Sequence, residues 1–191
     1  SPSFVSIHLG VEKKVISNNF NCHHIIVENW DELESEKGVI FISVPTLLDP
    51  SLAPEGKHII HAFTPSSINE WEGLSRKEYL QKKEEYFSFF VEKITKLLPK
   101  LDQNIDHKEI GTPKTHKKFL GRYEGSYGPI PSQKLLGLLP MPFNTTKIKN
   151  LYCVGDSCFP GQGLNAVAFS GYACAHKIGS KLNINSFNLP D

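Results

Sequence analysis

The sequence predicts an α+β protein built mainly on an antiparallel sheet, and three observations lead there. Apolar, β-branched runs recur through the first 63 residues with only polar or turn-forming connections between them. One long amphipathic pattern follows at 74–98. The chain then closes, at 150–182, on a short apolar run, a Gly-rich turn and a helical run of small residues.

The first strand is read at 3–11 (SFVSIHLGV), where Val5, Ile7 and Leu9 alternate with Phe4, Ser6 and His8. HHIIVE at 23–28 is a second strand, and GVIFISV at 38–44 a third. The third is nearly continuous in apolar residues, as a central strand is, and Pro45 stops it. Turn chemistry at 48–50 and 53–56 leads to a fourth, HIIHAF at 58–63. Strands joined without intervening helices pair antiparallel. Residues 12–21 are polar and read as a loop or hairpin, and 31–37 (DELESEK) as a solvated short helix or loop.

In the 74–98 helix Ser75 is the expected N-cap, and Glu78 completes a capping box. Tyr79, Tyr86, Phe90, Ile94 and Leu97 share one face at helical spacing, and Pro99 ends the pattern. IDHKEI at 105–110 is a fifth strand. Thr112 then caps, and Pro113 opens, a short helix over 114–120. Its Lys114, His116, Lys117 and Lys118 form either a solvated face or a lure for an acidic partner. Residues 121–149 lose periodicity and crowd Gly and Pro with apolar side chains, which suits a binding loop. Residues 183–191 read as a tail.

Composition bounds the function. With 191 residues, 39% hydrophobic and 21% charged, the chain suits a globular protein with a real core. A net charge of +1 gives no strong pull toward nucleic acid, which is not expected as a partner. No apolar run approaches the roughly 20 residues of a membrane helix. Cys22, Cys153, Cys158 and Cys174 are scattered and point to a reducing compartment. Cys153 and Cys174 are expected in the core, and Cys158 lies in the Gly-rich loop. Asn144-Thr145-Thr146 is a weak glycosylation match. His58 and His61, three apart on a strand, point to opposite faces, so no shared metal is expected. There is no nucleophile motif, and no catalytic residue stands out. The chain begins at Ser1 without Met and within a pattern, and is expected to be a fragment or a truncated gene model.

The closing stretch carries the chemistry. Gly155-Asp156 ends the apolar run at 151–154, Pro160, Gly161 and Gly163 shape the turn, and a helix starts near Leu164. Helix N-termini offer unpaired N–H groups and a partial positive charge. Glycines let a ligand approach the backbone, and a carboxylate accepts from ribose- or ribitol-type hydroxyls. A bland strand–helix turn has the same pattern. The Gly-x-Gly-x-x-Gly of a free-standing dinucleotide-binding domain is missing; Gly161-Gln162-Gly163-Leu164-Asn165-Ala166 comes nearest, with no acidic residue downstream at the right spacing.

TPKTHKKFLGR, YGPIP, MPFNTT, LYCVGDSCFPGQG, AVAFSG and CAHK, in that order, resemble the C-terminal part of the carotenoid (prolycopene) isomerases of plants and cyanobacteria. SPSFVSIHLGV and VPTLLDPSLAPEGKHIIHAFTPSSINEWEGLSRKEY extend the resemblance over nearly the whole chain. Phytoene desaturases and retinol saturases of the same superfamily share the Gly-Asp and Pro-Gly elements in less detail. The resemblance implies a flavoprotein with reduced FAD. Residues 1–149 would be its substrate-binding region, and 150–182 the closing strand–turn–helix of a Rossmann-like FAD domain whose N-terminal half is absent. Gly155, Asp156, Gly161, Gln162, Gly163, Leu164, Asn165 and Ala166 would then bind the cofactor. The implied reaction turns poly-cis lycopene into all-trans lycopene in plastids, with a polyene carotenoid as substrate and peripheral membrane association. A desaturase or saturase, and a non-catalytic fragment binding an apolar ligand or partner, are the alternatives. Where the isomerases' pattern is Gly-Val-Ile-Ala, this chain has Gly163-Leu164-Asn165-Ala166, and the polar Asn165 leaves the exact substrate open.

Overall fold

A computed structural model describes residues 2–33, 35–126, 128 and 141–184. The chain divides into two compact units, Ser1–Tyr127 and Gly128–Asp191. Much of the Gly/Pro-rich loop (127 and 129–140), and 185–191 of the tail, lie outside the described residues.

The first unit is a five-stranded sheet in the order β2-β3-β4-β1-β5, and every neighbouring pair is antiparallel. Its strands are β1 (Pro2–Glu12), β2 (His23–Val27), β3 (Val39–Ser43), β4 (Lys57–Ser67) and β5 (Ile105–Gly111). Each lies where the sequence places a strand, but β4 runs on past Phe63 through Thr64, Pro65 and Ser66. Pairing with β1 along its full length, from Pro2↔Ser67 to Glu12↔Lys57, overrides the weak local propensity there. Pro65 is tolerated because the β3 ladder on the other side reaches only to Phe41↔Phe63.

Helix α1 (Arg76–Thr95) covers one face of the sheet. Ser75 and Glu78 form the expected capping box: the Ser75 N–H donates to Glu78 Oε2 at 2.8 Å, and the Glu78 N–H to Ser75 Oγ at 3.3 Å. Tyr86, Phe90 and Ile94 are buried against Val5, Ile7, Leu9, Ile40 and Ile60. Leu97, expected on that face, is 40% exposed, and Leu98 is buried instead. The α-helix stops at Thr95, and the Leu97 and Leu98 N–H groups both turn back to the Ile94 carbonyl, so the helical period no longer holds.

Helix α2 (Pro113–Leu120) is capped by Thr112, whose hydroxyl accepts from the Thr115 N–H, and ends at the left-handed Gly121 (φ 64°). Its buried side is Pro113 and His116. His116 therefore leaves the set of cationic groups read on this helix: its ring stacks on Phe4 at 4.1 Å and its Nε2 has no partner among the described residues. Burial holds its pKa below the ordinary 6.5, partly opposed by a hydrogen bond that the ring makes to the Phe4 backbone, with the His8 charge adding to the depression.

The unfolded chain takes up the proton first as pH falls, so the contribution of His116 is complete above 6.5 and is lost as pH drops through its depressed folded value. The urea midpoint should fall on acidification from pH 7 to 5, and His116→Phe should flatten that fall. His58 and His61, also depressed, leave a residual slope. An unchanged slope in His116→Phe would rule this contribution out.

In the second unit α3 (Leu164–Lys181) lies where the helical run was read. The expected strand at 151–154 is reduced to one bridge, Tyr152↔Thr145. Its backbone groups are held locally instead. The Cys153 N–H donates to the Asn144 carbonyl at 2.9 Å, Asn144 Nδ2 to the Cys153 carbonyl at 3.0 Å, and the Thr146 hydroxyl to the Leu151 carbonyl at 3.0 Å. Cys153 is consequently exposed rather than in a core, while Cys158 and Cys174 are buried.

Candidate functional site

The Gly-rich turn is braced from behind by Ser170. This side chain is fully buried, and its Oγ accepts from the Gly155 N–H at 3.3 Å and from Asn144 Nδ2 at 3.0 Å. Asn144, read in sequence as part of a glycosylation triplet, is thus a structural clamp joining Cys153 and Ser170. The Cys158 N–H closes the first bend on the Gly155 carbonyl at 3.2 Å, and the Phe159 N–H donates to the Pro142 carbonyl at 2.8 Å. The Phe159-Pro160 peptide is cis. Burial, reinforced by Cys153, Cys174 and Asp156, pushes the Cys158 thiol above its ordinary range, so it is not an activated nucleophile.

Gly155, Gly161 and Gly163 have φ of 114°, 115° and 105°, a region that only glycine occupies without strain. A Cβ on Gly161 would touch Met141, and one on Gly155 or Gly163 would meet nothing within 4 Å among the described residues. Gly163 is the N-cap of α3, and no side chain caps the helix. Leu164 is 86% exposed and Asn165 is exposed in the first turn. The start of α3 therefore presents backbone N–H groups with no competing side-chain acceptor. Asp156 is half-buried in the same turn, its Oδ1 accepting from Ser157 Oγ at 3.3 Å, while Gln162 packs against Gly128. A turn of this make-up fits a carbonyl- or phosphate-bearing cofactor: donors at the helix start, a carboxylate nearby, and no Cβ to block approach. All eight residues read as cofactor-binding, from Gly155 to Ala166, lie in this turn and the first turn of α3.

The sheet carries a second feature that sequence reading missed. Direct cross-strand partners share a face, and the register aligns His23–Ser43–His61–His8–Glu109 across all five strands. The neighbouring row on that face is Ile25–Phe41–Phe63–Ser6–Gly111. Phe41 and Phe63 stack at 4.8 Å, and Phe4 meets Phe63 edge-on at 5.7 Å. Ile25 is 61% exposed, so this face, opposite α1, presents apolar surface. The rings of His8 and His61 meet at 4.6 Å. Partial desolvation, and then the His8 charge, lower the His61 pKa and favour its neutral form. His58, on the other side of the strand, is held by Thr46 through a 2.8 Å contact to its Nδ1. Among the described residues, no cluster of three or more His, Cys, Asp or Glu is placed to hold a metal ion. No described helix is long and apolar enough to cross a membrane.

The chain is similar to enzymes whose names carry lycopene-type compounds. A 29% identical relative of that class, the 4,4'-diapolycopen-4-al dehydrogenase of Metabacillus indicus, matches 87% of the chain. More particularly, the chain is a homologue of the prolycopene isomerases, corresponding to a C-terminal part of them. It is 57% identical over 186 residues to prolycopene isomerase 1, chloroplastic, of an Oncidium hybrid cultivar. It is 53% identical over 186 residues to the chloroplastic prolycopene isomerase of Arabidopsis thaliana. Each match takes in 96% of this chain and 32% or 31% of the relative, so the chain spans about a third of their length. No family model matches the chain.

Proposed function

We propose that this chain is the C-terminal part of an FAD-dependent carotenoid cis–trans isomerase that converts poly-cis lycopene to all-trans lycopene in plastids. The observation that carries this reading is the high identity to prolycopene isomerases along nearly the whole chain. Dehydrogenase-named relatives are far more distant, which disfavours a desaturase or saturase. In this reading 1–149 contribute the substrate-binding region, 150–182 the closing segment of the FAD domain, and 183–191 a tail. The full-length protein associates peripherally with membrane, where its apolar substrate resides.

Reduced FAD would supply the electron density that transiently lowers the bond order of one polyene double bond, with no net redox change. The chain's own residues bind and orient. Gly155, Asp156, Gly161, Gln162, Gly163, Leu164, Asn165 and Ala166 would hold the cofactor, Asp156 accepting from its hydroxyls and the α3 N–H groups donating to its carbonyl or phosphate oxygens. The Ile25–Phe41–Phe63 row gives an apolar floor suited to an extended conjugated chain. The His8–His61 pair beside that floor is able to take or return a proton at one carbon.

Expression of the full-length protein with poly-cis lycopene tests the reading by chromatography. All-trans lycopene with an unchanged count of double bonds is the expected product. A lengthened or shortened chromophore, or unchanged substrate beside a flavin-loaded protein, would defeat it.

A further inference from the structure

A cleft of about 570 Å³ opens between the start of α1 and the outer side of α2. Its lining includes three cations, Arg76, Lys114 and Lys118, and no carboxylate. The walls between them are Leu74, Tyr79 and Phe119. The nearby acids on these elements are already engaged. Glu78 accepts from the Ser75 N–H, and Glu72 pairs with Lys117 at 2.9 Å. Arg76, Lys114 and Lys118 have no carboxylate partner among the described residues; Lys114 lies over the Tyr79 ring at 5.4 Å and Lys118 over the Phe119 ring at 5.2 Å. Three like charges facing one cavity repel each other unless an anion is shared between them. The lining is apolar as well as basic, and its Phe119 is 73% exposed. Inward packing does not explain that exposure, because α2 buries only Pro113 and His116.

We infer that this cleft binds a phosphate-type oxyanion carried on an apolar body. Guanidinium and ammonium groups take the oxyanion by charge-assisted hydrogen bonds, and Phe119 with Leu74 takes the apolar part. Two sources share this chemistry, the headgroup of an anionic bilayer lipid and a soluble phosphorylated compound. The inference does not rest on the isomerase reading, since its test uses neither flavin nor polyene.

The full 191-residue chain is pelleted with phosphatidylcholine vesicles, with and without phosphatidylglycerol, and titrated separately with inorganic phosphate. Retention on phosphatidylglycerol vesicles that weakens as salt is raised assigns the lipid source. Saturable phosphate binding without vesicle retention assigns the soluble one. In either case the double variant K114Q/K118Q should lower affinity at least about tenfold. F119S should lower vesicle retention while leaving phosphate binding intact. These side chains are exposed, so the variants keep the native circular dichroism. K96Q/K100Q removes the same net charge at the far end of α1, roughly 30 Å away along a helix of that length, and should change nothing. The inference is overturned if neither probe binds, if K96Q/K100Q weakens binding as much as K114Q/K118Q, or if the chain binds heparin but neither probe.

Discussion

Replacing Trp71 by alanine should cost about 3–5 kcal/mol of folding stability, the largest single loss expected in the first unit. The indole is fully buried. It packs edge-on to Tyr79 at 5.6 Å and tilted against Tyr86 at 5.4 Å, and Lys82 lies over it at 5.2 Å. Its Nε1 donates to Ser66 Oγ at 3.0 Å, which fastens the connection before α1 to the end of β4. Truncation leaves both a cavity and a buried hydroxyl with a lost donor. Domains have only about 5–15 kcal/mol in hand, so a substantial unfolded fraction follows. Urea unfolding of the chain followed by circular dichroism measures it, with the exposed Phe119→Ala as a control that should move by no more than about 0.5 kcal/mol. A loss under about 1 kcal/mol for Trp71→Ala would show that this indole does not join the helix to the sheet.

Trp71 was legible in sequence only as an aromatic residue before a helix. What was legible in full are features coded within a few residues. The Ser75–Glu78 box, Thr112 with Pro113, and the alternation of Val5, Ile7 and Leu9 each name their partner at fixed spacing. Features that depend on distant pairing were not. The extension of β4 through Pro65 is set by β1, more than fifty residues away. The alignment of His8 with His61 is set by register, and a one-residue slip would send one ring to the opposite face. Alternation alone placed each histidine on a face but could not place them opposite one another. The reverse error came at 151–154, where four apolar residues read as a strand. A strand needs a ladder, and in this unit Asn144 and Thr146 take those backbone groups. In the turn, glycine positions were legible as punctuation, while the buried Ser170 that braces them lay unmarked inside a helical run.

That division between legible glycines and an unmarked brace gives the second large expectation, at Gly163. Gly163→Ala in the full-length protein should lower flavin occupancy about tenfold or more. Gly163 sits at φ 105° and ψ 149°, where an alanine is strained by roughly 1–3 kcal/mol. Among the described residues beyond its chain neighbours, nothing lies within 4 Å of its would-be Cβ, so the penalty is torsional rather than a clash that neighbours relieve by moving. The turn would relax toward negative φ and re-aim the first N–H groups of α3, which under the proposed function face the cofactor. Each 1.4 kcal/mol lost from the bound geometry is a factor of ten in affinity. Gly171→Ala is the matched control. Gly171 lies within α3, is not among the glycines at positive φ, and its Cβ would also meet nothing within 4 Å. Alanine there should stabilise the helix by roughly 0.5–1 kcal/mol and leave flavin untouched. Flavin absorbance per protein, read beside the thermal midpoint, separates the two effects. If Gly163→Ala retains full flavin at an unchanged midpoint, the helix start does not hold the cofactor. If Gly171→Ala strips flavin equally, the loss belongs to the helix as a whole and not to the turn.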